Sequence, residues 1–140
     1  MKHISIILMW FLLISSSCKR YYGHSSITVK NNENKPIVLS IVGSGLDTIE
    51  CVNQSFKIRN SGVPYDFNPG EKRDDLLNVY NTDWETNFAN SSYPKIYLYF
   101  FDKDTFYNFP CDTFKKYKWY KKQELTLDYL NQKNWTITYP

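Results

Sequence analysis

Histidine is scarce in this chain of 140 residues, which has only two. His3 lies at the N-terminus, in a segment that we expect to be cleaved off, and His24 lies in a short polar stretch that we interpret as a tether, so we expect a folded body without histidine. That absence argues against serine–histidine and cysteine–histidine nucleophile pairs and removes the commonest zinc ligand. We expect no metal and no cofactor and assign no catalytic residue, while carboxylate chemistry, which needs no histidine, stays open.

Long apolar runs are also missing, since a helix needs roughly 20 apolar residues to cross a bilayer. The longest apolar segment, residues 4–14, follows Lys2 and leads through three serines to Cys18. A positive start, a short apolar segment and small residues before a cysteine are typical of a lipoprotein signal peptide. We expect Cys18 to become the lipidated N-terminus that holds the protein on a membrane.

Cleavage before Cys18 divides the chain into three parts. Residues 1–17 are the signal peptide, residues 18–26 are the lipidated cysteine and its tether, and residues 27–140 form a single globular domain. A body of this length has no room for two domains.

Cysteine and net charge are low as well. Cys51 and Cys111 are the two cysteines besides Cys18, and a disulfide between them and a pair of buried thiols remain equally open. The formal net charge is +3, which is too small to imply a nucleic acid partner.

Aromatic side chains are abundant, at 18% of all residues with twelve tyrosines. Residues 26–30 and 37–42 predict two strands that an Asn-rich turn joins as a hairpin. Residues 95–102 are apolar on both faces and predict the central strand, whose Ile96, Leu98 and Phe100 we place in the core.

Further elements follow from capping residues and alternation. Asp83 predicts the start of a helical turn, residues 110–116 a short helix, Thr126 the N-cap of a helix at 127–132, and residues 135–139 a final strand that opens with a structural Trp135. The expected fold is mainly β with minor α. It is an antiparallel β-sandwich, or a sheet, with one or two short helices near the C-terminus.

Three segments carry residues of functional interest. Asp102 and Asp104 could form a carboxylate pair, although an acidic turn after a strand is favoured. Residues 115–122 interleave five lysines with three aromatics, and an edge strand with Tyr117 and Trp119 turned into the core is favoured over a binding strip around Lys118 and Trp119.

The third segment, residues 60–70, is rich in glycine and proline and predicts a loop. Its rings, Tyr65 and Phe67, either bind a sugar or are buried and hold the loop in place. We favour burial.

The cysteine motif at 18, the strand at 96–102 with the Asp-rich segment that follows it, and the C-terminal segments 125–130 and 134–140 resemble small lipoproteins of unknown function from Bacteroidales (Bacteroidota). The similarity is clearest over residues 95–140. Related chains place tryptophan near the position of Cys111, which argues against a disulfide throughout the group. The resemblance implies tethering in the cell envelope and transfers no catalytic or binding residue.

Lys19 and Arg20 stand where many surface-exported lipoproteins of that phylum carry acidic residues. We therefore expect a lipid-anchored protein on the periplasmic side of the outer membrane rather than the cell surface.

The expected function is that of a non-catalytic cell-envelope lipoprotein, a binding or structural module for a protein or glycan partner. Its partners would be the membrane, through the N-terminal lipid, and that unidentified protein or glycan. Two alternatives stay open: a carboxylate-dependent enzyme acting on polysaccharide or peptidoglycan, and a periplasmic immunity or inhibitor protein.

Overall fold

The computed structural model describes residues 23–42 and 64–140, so the predicted signal peptide, Cys18 and Cys51 lie outside the described residues. The described part contains seven strands and four short helices, which confirms a mainly β fold with minor α. In chain order the elements are β1 (Ser26–Asn31), β2 (Ile37–Val42), β3 (Tyr65–Phe67), β4 (Lys72–Asn78), α1 (Trp84–Asn90), β5 (Ile96–Asp102), α2 (Lys103–Asn108), α3 (Cys111–Tyr117), β6 (Lys121–Leu125), α4 (Leu127–Gln132) and β7 (Thr136–Tyr139). Among the described helices, none combines the length and the apolar character that crossing a membrane requires.

The strands form two sheets that pack against each other around one core. The first sheet has the order β4-β1-β7 and the second the order β3-β2-β5-β6. Inward-facing side chains from both sheets meet in one buried cluster. The pairing is antiparallel except between β1 and β7, which run parallel, and this pair departs from the antiparallel expectation.

The predicted hairpin at residues 26–42 is wrong, although both of its strands exist. β1 belongs to one sheet and β2 to the other, because the segment between them crosses from sheet to sheet around the buried Asn31. The Asn31 amide donates to the carbonyls of Lys35 and Asn68, and its Oδ1 accepts the Glu33 N–H. These hydrogen bonds pair backbone groups of the wide connection between the two sheets, which a tight hairpin turn would not leave unpaired.

β5 is the interior strand that the sequence predicts. It lies between β2 and β6, and six of its seven residues are buried. Ile96, Leu98 and Phe100 face the core between the sheets, with Leu98 fully buried. The opposite face of β5 packs under α2 and α3, whose Phe106 and Phe114 complete a second apolar cluster.

Capping explains where the helices begin. Asp83 accepts the Thr86 N–H at 2.7 Å and Thr126 accepts the Tyr129 N–H at 3.2 Å, which confirms both predicted N-caps. The predicted acidic turn at 102–105 is instead the first turn of α2, because Asp102 accepts the Thr105 N–H and so caps a helix. The loop predicted at 60–70 contains β3, which pairs with β2.

The packed body includes His24, so the expectation of a body without histidine is wrong. The imidazole stacks on the Trp135 ring with centroids 4.0 Å apart, and its Nδ1 lies 2.7 Å from Glu85 Oε1. Trp135 is only 6% exposed and belongs to the core cluster, which confirms its structural role. The chain is therefore attached to the domain from His24 onward.

Candidate functional site

A groove of about 570 Å³ opens where the end of β5, the turn after α3 and the end of β7 come together. We call it the aromatic–lysine groove. Its lining residues are Phe100, Asp102, Thr105, Phe109, Lys118, Trp119, Tyr120, Lys121 and Tyr139.

The wall of the groove is fixed by the way α3 ends. Lys118 adopts a left-handed conformation, with φ 53° and ψ 42°, and its backbone N–H donates to the Phe114 carbonyl. The Trp119 N–H donates to the same carbonyl at 3.1 Å. These are the bonds of a helix C-cap that reverses the chain, so the backbone of Trp119 is held in one place.

Three aromatic rings project at this wall. Trp119 stacks on Tyr117 with centroids 5.3 Å apart, and Phe109 meets Trp119 edge-on at 5.2 Å. The exposed fractions are 41% for Trp119, 55% for Tyr117 and 47% for Phe109. The favoured expectation, that Tyr117 and Trp119 alternate into the core along an edge strand, is wrong because α3 continues to Tyr117 and β6 begins only at Lys121.

The floor of the groove is rigid and aromatic. Phe100 and Tyr139 stack with centroids 4.5 Å apart, and the Lys121 ammonium lies 5.0 Å from the centre of the Tyr139 ring. Burial raises the pKa of the Tyr139 phenol, so the hydroxyl is protonated at neutral pH. Both Phe100 and Tyr139 belong to the core cluster, which ties the floor to the sandwich.

Asp102 is the carboxylate of the groove, and both of its oxygens are occupied. Oδ1 accepts the backbone N–H of Thr105 at 3.0 Å and its hydroxyl at 2.9 Å, while Oδ2 lies 3.0 Å from Lys35 Nζ. The hydrogen bond from the Thr105 backbone lowers the pKa of Asp102, and Lys35 acts in the same direction against partial burial. A general acid needs the opposite shift, so this carboxylate is suited to capping and binding.

Positive charge dominates the rim. Neither Lys118 nor Lys121 forms an ion pair with any acid of the described residues, whereas Asp102 is paired with Lys35. Lys115 and Lys116 lie in the last turn of α3, beside the same wall. The groove therefore combines apolar rings with cationic groups that have no protein counter-charge in the part of the chain described.

Comparison of the chain with protein-family models, with curated proteins and with solved structures finds no match. The geometry of the groove is therefore what indicates its function.

The other predicted candidates lie elsewhere. Phe67 is 1% exposed and belongs to the core cluster, and Tyr65 is partly buried against it under the guanidinium of Arg73. The two rings therefore hold β3 against the sandwich and form no exposed pair. Cys111 is disulfide-bonded, and both of the other cysteines lie outside the described residues, so the pairing with Cys51 stays a prediction.

A second concave region, an apolar cavity of about 280 Å³, lies between α1 and the ends of β2, β4 and β5. The Trp84 ring forms part of its wall, and its indole N–H donates to the Leu77 carbonyl at 3.1 Å. Sequence reasoning missed this cavity, because its lining comes from segments far apart in the chain. Lys95 at its edge pairs with Glu124 at 2.7 Å, so it offers no free charge to a ligand.

Proposed function

We propose that this protein is a non-catalytic lipoprotein of the cell envelope, anchored through Cys18, that binds a protein or glycan partner in the aromatic–lysine groove. The observation that carries the proposal is the joint exposure of Phe109, Tyr117 and Trp119 beside lysines that form no ion pair with the acids of the described residues. Exposed aromatic rings grouped on a small domain are typical of a binding surface.

The construction of the wall supports binding over incidental exposure. The three rings contact one another, and backbone hydrogen bonds to Phe114 fix the start of the Trp119 segment. A surface that is already ordered loses little conformational entropy when a partner arrives. Tyr and Trp also provide large contact areas with few rotatable bonds, which is why they are frequent at binding sites.

The acidic residues favour binding over carboxylate catalysis. Asp102 uses both oxygens for the α2 cap and for Lys35, and its pKa is lowered. Asp104 lies on the exposed first turn of α2, where a carboxylate stabilises the helix dipole. The two acids therefore have structural roles that account for their presence.

The position of His24 supports attachment close to a membrane. With Cys18 lipidated and His24 docked on Trp135, only residues 19–23 separate the anchor from the body. A chain of that length reaches at most about 22 Å. The domain would therefore be held near the headgroups, with partners that are close to the same membrane.

The disulfide at Cys111 supports an oxidising compartment, where such bonds persist. A lipidated Cys18 has no free thiol, so the proposal requires Cys51 as the partner of Cys111. The membrane anchor and the disulfide pairing are thus two parts of one proposal.

The anchor is tested by Cys18→Ser. We expect this variant to leave the membrane fraction and to keep its signal peptide, because the peptidase cuts at a lipid-modified cysteine. A Cys18→Ser protein that has the mature mass and still sediments with membranes would contradict the proposal.

The groove is tested by a photo-crosslinking phenylalanine analogue placed at position 109 in the native cell envelope. The matched control is the same analogue at position 80, since Tyr80 is 84% exposed and lies outside the groove. We expect an adduct from position 109 that Trp119→Ala abolishes, and none from position 80. The same adduct from both positions, or none from position 109, would refute a partner in the groove.

A further inference from the structure

We infer that the ligand of the aromatic–lysine groove is an acidic saccharide, a glycan segment that carries carboxylate groups. This inference rests on the proposed function and specifies its ligand. It follows from three kinds of side chain that the groove brings together: exposed rings, hydrogen-bonding oxygens, and lysines that pair with no acid in residues 23–42 and 64–140.

The rings suit the apolar faces of sugars. A pyranose presents C–H groups on its faces, and these pack on the electron-rich face or edge of an aromatic ring. Phe109 and Trp119 are the exposed rings of the groove, and the Phe100–Tyr139 stack is its buried floor. The groove is concave, which favours a chain molecule over a flat membrane surface.

The polar atoms between the rings suit hydroxyl groups. The Asp102 side chain is one-third exposed, and its Oδ2, whose partner is the Lys35 ammonium, keeps a second acceptor position. The Thr105 oxygen donates its proton to Asp102 and keeps its lone pairs for a ligand hydroxyl. These acceptors would receive the hydroxyl protons of a saccharide.

The charge balance selects an acidic sugar over a neutral one. The groove holds Lys118 and Lys121 against a single carboxylate, and that carboxylate already has Lys35 as its partner. An anionic ligand in the groove would supply the counter-charge that Lys118 and Lys121 do not receive from any acid of the described residues. Charge-assisted hydrogen bonds of this kind are stronger than neutral ones.

The backbone at Lys118 adds an independent observation. Glycine is the residue that a left-handed helix C-cap favours, and lysine with φ 53° is strained there. Backbone strain occurs at functional positions, although Trp135, with φ 57°, shows that it also occurs at a structural one. A ligand bound by the Lys118 ammonium would explain why lysine, and not glycine, occupies this position.

The test is isothermal titration of the full-length lipoprotein in detergent with two uronic acid oligosaccharides, a galacturonate trisaccharide and a hyaluronan tetrasaccharide. The methyl ester of the first is the neutral comparison. We expect at least one acidic oligosaccharide to bind, and removal of the charge to weaken binding by about tenfold or more.

Variants locate the binding. Lys118→Gln and Trp119→Ala should each weaken it by about tenfold. Lys72→Gln removes the same charge from an exposed position on β4, and Tyr80→Ala removes an exposed ring. Both residues lie outside the groove, so both variants should bind as the wild type does.

Three outcomes would overturn the inference. Equal binding of the acid and its ester would exclude charge recognition. Attachment to phosphatidylglycerol vesicles that depends on Trp119, without saccharide binding, would assign the groove to lipid headgroups. Binding of neither oligosaccharide would refute the acidic saccharide, and an adduct from position 109 in the same strain would show that the proposed binding function stands without it.

Discussion

Replacing Lys118 by glycine and by alanine separates the two roles that the structure gives this residue. Both variants lose the ammonium group, and both lose its favourable position at the C-terminal end of α3. They differ in the backbone, because Lys118 has φ 53° and only glycine adopts that conformation without strain. The difference in unfolding free energy between the two variants therefore measures the cost of holding a side chain in the left-handed conformation at this position.

The magnitude follows from two opposing quantities. A side chain in the left-handed region costs roughly 1–2 kcal/mol, and glycine gains about 0.5–1 kcal/mol of freedom in the unfolded chain. Lys118→Gly should therefore exceed Lys118→Ala in unfolding free energy by about 0.5–1 kcal/mol. In thermal unfolding this is a Tm difference of about 2–5 °C.

The assay is urea unfolding of both variants, followed by far-ultraviolet circular dichroism, together with oligosaccharide titration. We expect the glycine variant to be the more stable one, while both bind the acidic oligosaccharide about tenfold more weakly than the wild type. Equal stabilities would show that residue 118 is not held in the left-handed region. Unchanged affinity in both would remove its ammonium from the binding site.

The remaining predictions concern the fold. Leu98→Ala should cost about 2–5 kcal/mol in urea unfolding because Leu98 is fully buried between the sheets, and a cost below about 1 kcal/mol would contradict the core assignment. The lowered pKa of Asp102 means that its contribution is complete above the unfolded pKa of about 3.9 and is lost as the pH falls through the folded value. Asp102→Asn should therefore be less stable than the wild type at pH 7, with a difference that shrinks below about pH 4, and a difference independent of pH would contradict this. In a chain whose only tryptophan is Trp135, emission should be blue-shifted and resistant to iodide, and a red-shifted, freely quenched signal would place that ring at the surface.

Local features of the fold could be predicted because they depend on residues close in sequence. The N-caps Asp83 and Thr126 bond to residues three positions onward. The unbroken apolar run of β5 shows burial on both faces wherever the partners come from. The pairing of strands could not be predicted in the same way. β1 and β2 have the composition of a hairpin, and the hydrogen bonds of Asn31 to Lys35 and to the distant Asn68 send them into separate sheets.

The candidate site shows the same limit. The composition of residues 115–122 is compatible with either a binding strip or an edge strand. Which of the two forms depends on the residue at which α3 ends. The left-handed Lys118 ends that helix and leaves Tyr117 and Trp119 exposed, although lysine is not a usual signal for a helix end of this kind. The histidine argument failed for a related reason, since the contact of His24 with Glu85 spans 61 positions in the sequence.

The central claim is that the aromatic–lysine groove, and no other concavity of the described domain, receives the ligand. Three indole N–H groups test it directly, because Trp119 lies in the groove, Trp84 in the wall of the apolar cavity, and Trp135 beneath His24. In ¹H–¹⁵N spectra of the full-length protein titrated with the acidic oligosaccharide that binds it, we predict that the Trp119 indole resonance shifts while those of Trp84 and Trp135 stay in place. A shift of the Trp84 resonance with Trp119 unchanged would contradict the account.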